Sequence, residues 1–108
     1  MISEQAKNLQ RYCQNAEVEK IADFYGLEHQ LSKTNEELIE LLQAIQGYSI
    51  KLVLSDDDIS VSHMVEEMAD VSIMIEQLVY LTESKEEFEA CRELKIKRQI
   101  GRIAEENQ

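Results

Sequence analysis

The sequence predicts an all-α protein of four helices, packed as one domain over residues 1–108. Three observations point there. Apolar residues recur at helical spacing nearly throughout, and alternation of period two is scarce. There is no Pro and there are only three Gly, Gly26, Gly47 and Gly101. With 6% aromatics as well, this argues against a sandwich or barrel, because those folds need many turn residues. The length of 108 residues, with 44% apolar and 31% charged content, is that of a single globular core, and a marginal one for an isolated monomer.

The first helix is expected from Ser3 to Phe24, with a possible break at Gln14-Asn15-Ala16. Gly26 follows as its stop, since a glycine accepts the left-handed conformation that ends helices. The second is expected from Leu27 to Gln46, ended by Gly47. The third runs from Ile59 to Thr82, with Asp57 or Asp58 as its cap, and the fourth from Lys85 to Glu106, with Ser84 as its cap. The connector is Tyr48 to Asp58. Its Ile50 to Leu54 stretch reads equally as extended chain or as a prolongation of the second helix.

The run Asp56-Asp57-Asp58 lacks the alternating ligands, central Gly and closing Glu of a calcium loop, so it reads as a solvated cap. Cys13 and Cys91 have no Cys or His at metal-ligand spacing and read as free thiols, small and buried. No apolar run approaches the roughly 18 residues of a membrane span, and no basic-then-apolar leader is visible. A cytoplasmic protein is the expectation. The net charge of −11 argues against nucleic acid as a partner. It leaves room for a phosphate substrate if divalent cations bridge the two negative partners.

The candidate chemistry lies in two acid pairs. On a wheel of about 100° per residue, Leu27, Leu31, Leu38, Leu41, Leu42 and Ile45 form the core stripe of the second helix. Gln30, Lys33, Glu37, Glu40 and Ala44 form a stripe beside it. Glu37 and Glu40 thus project from adjacent turns on one side. Taken alone, such a pair fits an ordinary solvated face. On the third helix, Met64, Met68, Val71, Met74, Ile75 and Leu78 define the core stripe, and Glu67 and Asp70 fall inside it, while Glu66 and Glu76 fall outside. A carboxylate in an apolar seam costs several kcal/mol in desolvation unless a cation or hydrogen bonds compensate, and two on adjacent turns also repel. A divalent metal between the helices resolves both problems. Magnesium takes oxygen ligands and bridges readily to phosphates, and Glu37, Glu40, Glu67 and Asp70 offer four donors.

The fourth helix carries the opposite charge. Arg92, Lys95, Lys97, Arg98 and Arg102 are five of the chain's eleven basic residues, and Lys95, Arg98 and Arg102 share a sector of about 60°. That face suits a phosphate chain, or equally a dipole-favoured helix end paired with surface Glu residues. His63, three residues before Glu66, reads as a helix-start or surface residue, or as a ligand or substrate contact.

Together these segments resemble a known family. Tyr25 to Leu41, containing Glu36-Glu37-Leu38-Ile39-Glu40, is similar to the second helix of the MazG-like all-α nucleoside triphosphate pyrophosphohydrolases. Glu66-Glu67-Met68-Ala69-Asp70-Val71-Ser72-Ile73-Met74 is similar to their third, and Lys95 to Ile103 to their basic fourth. The resemblance covers roughly residues 24–104. It implies a four-helix MazG-like bundle and magnesium-dependent cleavage of a nucleoside triphosphate between the α and β phosphates, giving the monophosphate and pyrophosphate. Glu37, Glu40, Glu67 and Asp70 would hold Mg2+, one of them also orienting the attacking water. Lys95, Arg98 and Arg102 would steady the triphosphate. Lys33 would reach a phosphate or simply balance Glu37. Phosphoribosyl-ATP pyrophosphohydrolases share the acid pattern but read E-A-A-D-L-L-Y-H in the third helix, so the MazG-like group is the nearer match.

A homodimer or homotetramer is also expected. Val61, Val65, Ile73, Val79 and Leu81 spread around the third helix, making more apolar circumference than one neighbour covers. The resembled family implies the same. The competing expectation, a non-enzymatic helical adaptor, gives no reason to place both Glu67 and Asp70 on an apolar stripe.

Overall fold

A hydroxyl cap opens the chain's first helix, α1, which runs Glu4–Tyr25: the Ser3 Oγ accepts from the Ala6 N–H at 3.1 Å. In this computed structural model, residues 3–54 and 59–107 are described. The remaining helices are α2 (Leu27–Val53), α3 (Ser62–Leu81) and α4 (Lys85–Glu106), and the described residues contain no strand. The fold class is therefore all-α with four helices. Helix α1 is continuous through Gln14-Asn15-Ala16, and α2 absorbs the Ile50 to Val53 stretch. The expected cap at Asp57 or Asp58 lies outside the described residues. Helix α3 begins at Ser62, three residues later than its periodicity suggests, with the Ser62 N–H bonded to the Ser60 Oγ at 3.2 Å. Ser84 does occupy the N-cap position of α4. Its hydroxyl is turned instead toward the Val79 carbonyl and the Thr82 hydroxyl.

Two joints shape the path. Gly26 is the single residue between α1 and α2, at φ 82°, with its N–H bonded to the Ala22 carbonyl at 2.8 Å. A Cβ there would meet nothing within 4 Å, so the constraint is on backbone conformation and not on space. Between α3 and α4, Glu83 takes a left-handed φ of 52°, and the Ser84 N–H closes onto the Val79 carbonyl at 3.1 Å.

Helices α2 and α3 make the main contact, antiparallel, with Gln30 beside Gln77 and Glu37 near Glu67 and Asp70. On α2 the covered line is Gln30, Thr34, Glu37, Leu41, Ala44 and Tyr48. On α3 it is Met64, Glu67, Val71, Met74, Leu78 and Leu81, with Gln77 also buried. Steps of three and four alternate on both, which is the pattern of a coiled-coil seam. Helix α1 packs mainly on α3, where the Tyr80 hydroxyl donates to both Asp23 carboxylate oxygens at 2.9 and 3.0 Å. That bond to a carboxylate raises the Tyr80 pKa.

The seam corrects the expected core of α2. Of the leucine stripe only Leu41 is half-buried, while Leu38 and Leu42 keep 45% and 54% of their surface exposed. The neighbouring stripe supplies the buried positions Gln30, Glu37 and Ala44. The leucines are left facing outward. On α3, Val71 and Met74 are buried as expected, whereas Met68 and Ile75 are exposed. Cys13 and Cys91 are free, as expected, but exposed and not buried, because neither α1 nor α4 is covered at those positions.

Helix α4 touches only α3 among the described helices, and it has no buried residue. The radius of gyration is 17.7 Å, against about 13 Å for a compact chain of this length. The accessible surface is 9104 Å², against about 6,200 Å² for a compact monomer of the same mass. No described helix is long and apolar enough to cross a membrane.

Candidate metal centre

The α2–α3 seam brings three carboxylates together. Glu37, Glu67 and Asp70 each present an oxygen, and these three atoms lie within 4.8 Å of one another. The burial is graded: Glu37 is buried, Glu67 half-buried and Asp70 exposed. The group therefore runs from the seam to its solvent rim. Helical spacing explains the placement. Glu67 and Asp70 are one turn apart on α3, and Glu37 comes from the opposite helix at the same level.

Glu37 Oε1 is paired with the Lys33 Nζ at 3.3 Å, one turn back on α2. Its other oxygen, Oε2, is shut away from solvent and has no hydrogen-bond partner, and the same is true of Glu67 Oε2. An orphaned buried acceptor normally costs about 1–3 kcal/mol, and here two occur in one three-acid group with one lysine at its edge. A cation held between the helices would remove both penalties. The donors are all carboxylate oxygens, which suits a hard divalent ion such as Mg2+ and offers nothing to a thiophilic metal.

Lys33 balances Glu37 and also sits 3.5 Å from Glu36. These contacts, Glu37 first, raise its pKa. Glu40 is exposed and lies outside the three-acid group. It follows Glu37 by three residues, which rotates it about 60° off the seam line. Glu66 and Glu76 are exposed, as their wheel positions require, and His63 is an exposed residue in the first turn of α3.

The basic residues Lys95, Arg98 and Arg102 are all exposed on α4. None of them is ion-paired to the acid group among the described residues; the α4 pair that forms is Lys97 with Glu93 at 3.1 Å. An open apolar trough runs along the same helix, lined by Phe88, Arg92, Lys95, Ile96 and Ile100.

The feature that sequence reasoning misses is Gln77, 1% exposed, whose Oε1 accepts from the Gln30 Nε2 at 2.6 Å. A glutamine on a wheel reads as solvated. The available signal is spacing, since Gln30 precedes Glu37 by seven residues and Gln77 follows Asp70 by seven. The chain matches no protein-family model, no curated protein and no solved structure.

Proposed function

We propose that this chain is a Mg2+-dependent nucleoside triphosphate pyrophosphohydrolase of the MazG-like type, converting a (d)NTP and water to the monophosphate and pyrophosphate. The observation that carries the reading is the pair of orphaned buried oxygens on Glu37 and Glu67, converging with Asp70. Glu37, Glu67 and Asp70 would hold the ion, and Glu40, exposed on the next turn, would join them by a change of rotamer. When bound, the ion neutralises phosphate charge and activates water. The exposed rim at Asp70 leaves a way in for the triphosphate. One of the acids would accept the proton of the attacking water, and cationic side chains would stabilise charge building on the leaving pyrophosphate.

Those cations would be Lys95, Arg98 and Arg102, brought by a second copy of the chain. The accessible surface exceeds that of a compact monomer by roughly 2,900 Å², far above the roughly 800 Å² per partner that a standard interface buries. The α2 leucines and the α4 trough supply apolar area, and the acidic seam is complementary to the Lys95, Arg98 and Arg102 face of α4. In this assembly, a homodimer or homotetramer, α4 of one chain would lie over the seam of another. Sedimentation at micromolar concentration should show a species at least twice the 12.5 kDa chain mass. A single species of chain mass with full activity would rule the assembly out.

The direct test of the reaction is a screen of nucleoside triphosphates with Mg2+, detecting released pyrophosphate. Turnover of at least one, abolished by chelator, is expected. The uncovered α4 favours one other reading, a non-enzymatic interaction module. An oligomer that releases no pyrophosphate from any nucleotide would decide for it.

A further inference from the structure

Gln30 and Gln77 are among the most buried polar side chains described, at 2% and 1% exposure, and they face each other across the α2–α3 seam. The Gln30 Nε2 donates to the Gln77 Oε1 at 2.6 Å. The Gln30 Oε1 lies 2.7 Å from the His29 Nδ1, which donates to it in the tautomer that carries its proton there. The His29 ring is itself stacked on Tyr25, with centroids 4.8 Å apart. The Gln77 Nε2 is left with only the Met74 sulfur, at 3.5 Å. Two amides in a seam are a poor source of stability, because desolvation offsets most of what their hydrogen bond contributes. A polar pair at such a position acts instead on register, since any slip leaves both groups buried and unpaired.

The rest of the seam does little to set register. Met64 and Met74 are flexible side chains that adapt to varied surroundings, and Val71 and Ala44 carry no directional bond. Among the described residues, Gln30–Gln77 is the one side-chain hydrogen bond joining α2 to α3. The acids work against closure, because three carboxylates within 4.8 Å repel when no cation is bound. The spacing connects the two features. Gln30 to Glu37 is seven residues on α2, and Asp70 to Gln77 is seven on α3. Two turns, about 10.5 Å, separate amide from acid on both helices. With the amides level, Glu37 stands level with Asp70.

We infer that the Gln30–Gln77 amide bridge is a register clamp that holds Glu37 opposite Glu67 and Asp70 so that the acids are arranged for a cation before one binds. Its role toward a cation rests on the metal-centre reading above, whereas its role in register does not. Both glutamines are positioning residues that touch neither ion nor substrate.

The test replaces both amides at once, so that neither is orphaned. The Gln30→Met/Gln77→Met protein should melt at or above the parent's temperature and bind Mn2+, titrated alone by calorimetry, about tenfold more weakly. A purely structural role would move the melting temperature and the affinity together. Spin labels at Ser32→Cys and Glu66→Cys, in a Cys13→Ser/Cys91→Ser background diluted with unlabelled chain, report register in chelator. The parent should give one narrow distance distribution and the Met/Met protein a broadened or shifted one. If Met/Met does not fold, Gln30→Leu/Gln77→Leu serves for the same comparison. An unchanged distribution overturns the clamp whatever the metal does. Equal Mn2+ affinity in parent and variant overturns the positioning of the acids. A parent that binds no Mn2+ overturns the metal centre, and the label distances then decide the register alone.

Discussion

Glu37→Gln and Asp70→Ala should each slow pyrophosphate release roughly a thousandfold, about 4 kcal/mol of transition-state stabilisation. Glu37 is the sole α2 member of the three-acid group, and Asp70 is its solvent-side member on α3. Glu40→Ala should follow them if the exposed fourth acid joins the set. The same variants should not be unstable. In chelator they should melt at or above the parent's temperature, because each relieves repulsion within the group. The Lys33 contact that Glu37→Gln weakens is half-exposed, with 45% of the lysine side chain open to solvent, and contributes little to folding. Thermal melts and pyrophosphate assays on the same samples check both halves. Full turnover in Asp70→Ala, or in excess chelator, would sink the mechanism.

The two adjacent acids at the start of α3 should behave in opposite ways. Glu67→Gln should lose turnover about a hundredfold or more, and Glu66→Gln should stay within about twofold of the parent. Charge removed is the same in both, and the positions are neighbours. The difference is orientation: Glu67 sits half-buried with an orphaned oxygen in the seam, and Glu66 stands in solvent. Turnover of the two variants under saturating nucleotide is the measurement, and equal losses would contradict the register of the site.

Several elements can be read from the residues themselves. The bounds of α4 follow from Ser84 and the acidic first turn of Glu86 and Glu87, and Gly26 marks the joint between α1 and α2. The placement of Glu67 in the seam and Glu66 outside it follows from helical spacing alone. The choice of α2 face does not. Its leucine stripe and its polar stripe both have helical period, and hydrophobicity ranks the leucines first. Which stripe meets α3 depends on pairings made across the seam, such as Gln30 with Gln77, that one helix alone does not reveal. Gln77 is invisible for a related reason, since its burial depends on a partner 47 positions away. The Ile50 to Val53 stretch has too few residues to distinguish a strand from a helix end, and it is helical. The openness of α4 is likewise unreadable from periodicity, which says that a helix has an apolar face without saying which molecule covers it.

Gly26 looks like a hinge, yet the bonds around it make a truss. Asp23, three residues before it, is tied to Tyr80, and Gln30, four residues after it, is tied to Gln77. The two anchor points on α3 are one turn apart. Two struts and a short common base form a triangle, and a triangle cannot shear without breaking a side. The joint at Gly26 is therefore braced on both sides, and sliding α2 along α3 would have to carry α1 with it. Just past that same end of α3, beyond Glu83, α4 departs with no side-chain hydrogen bond back to α3 among the described residues.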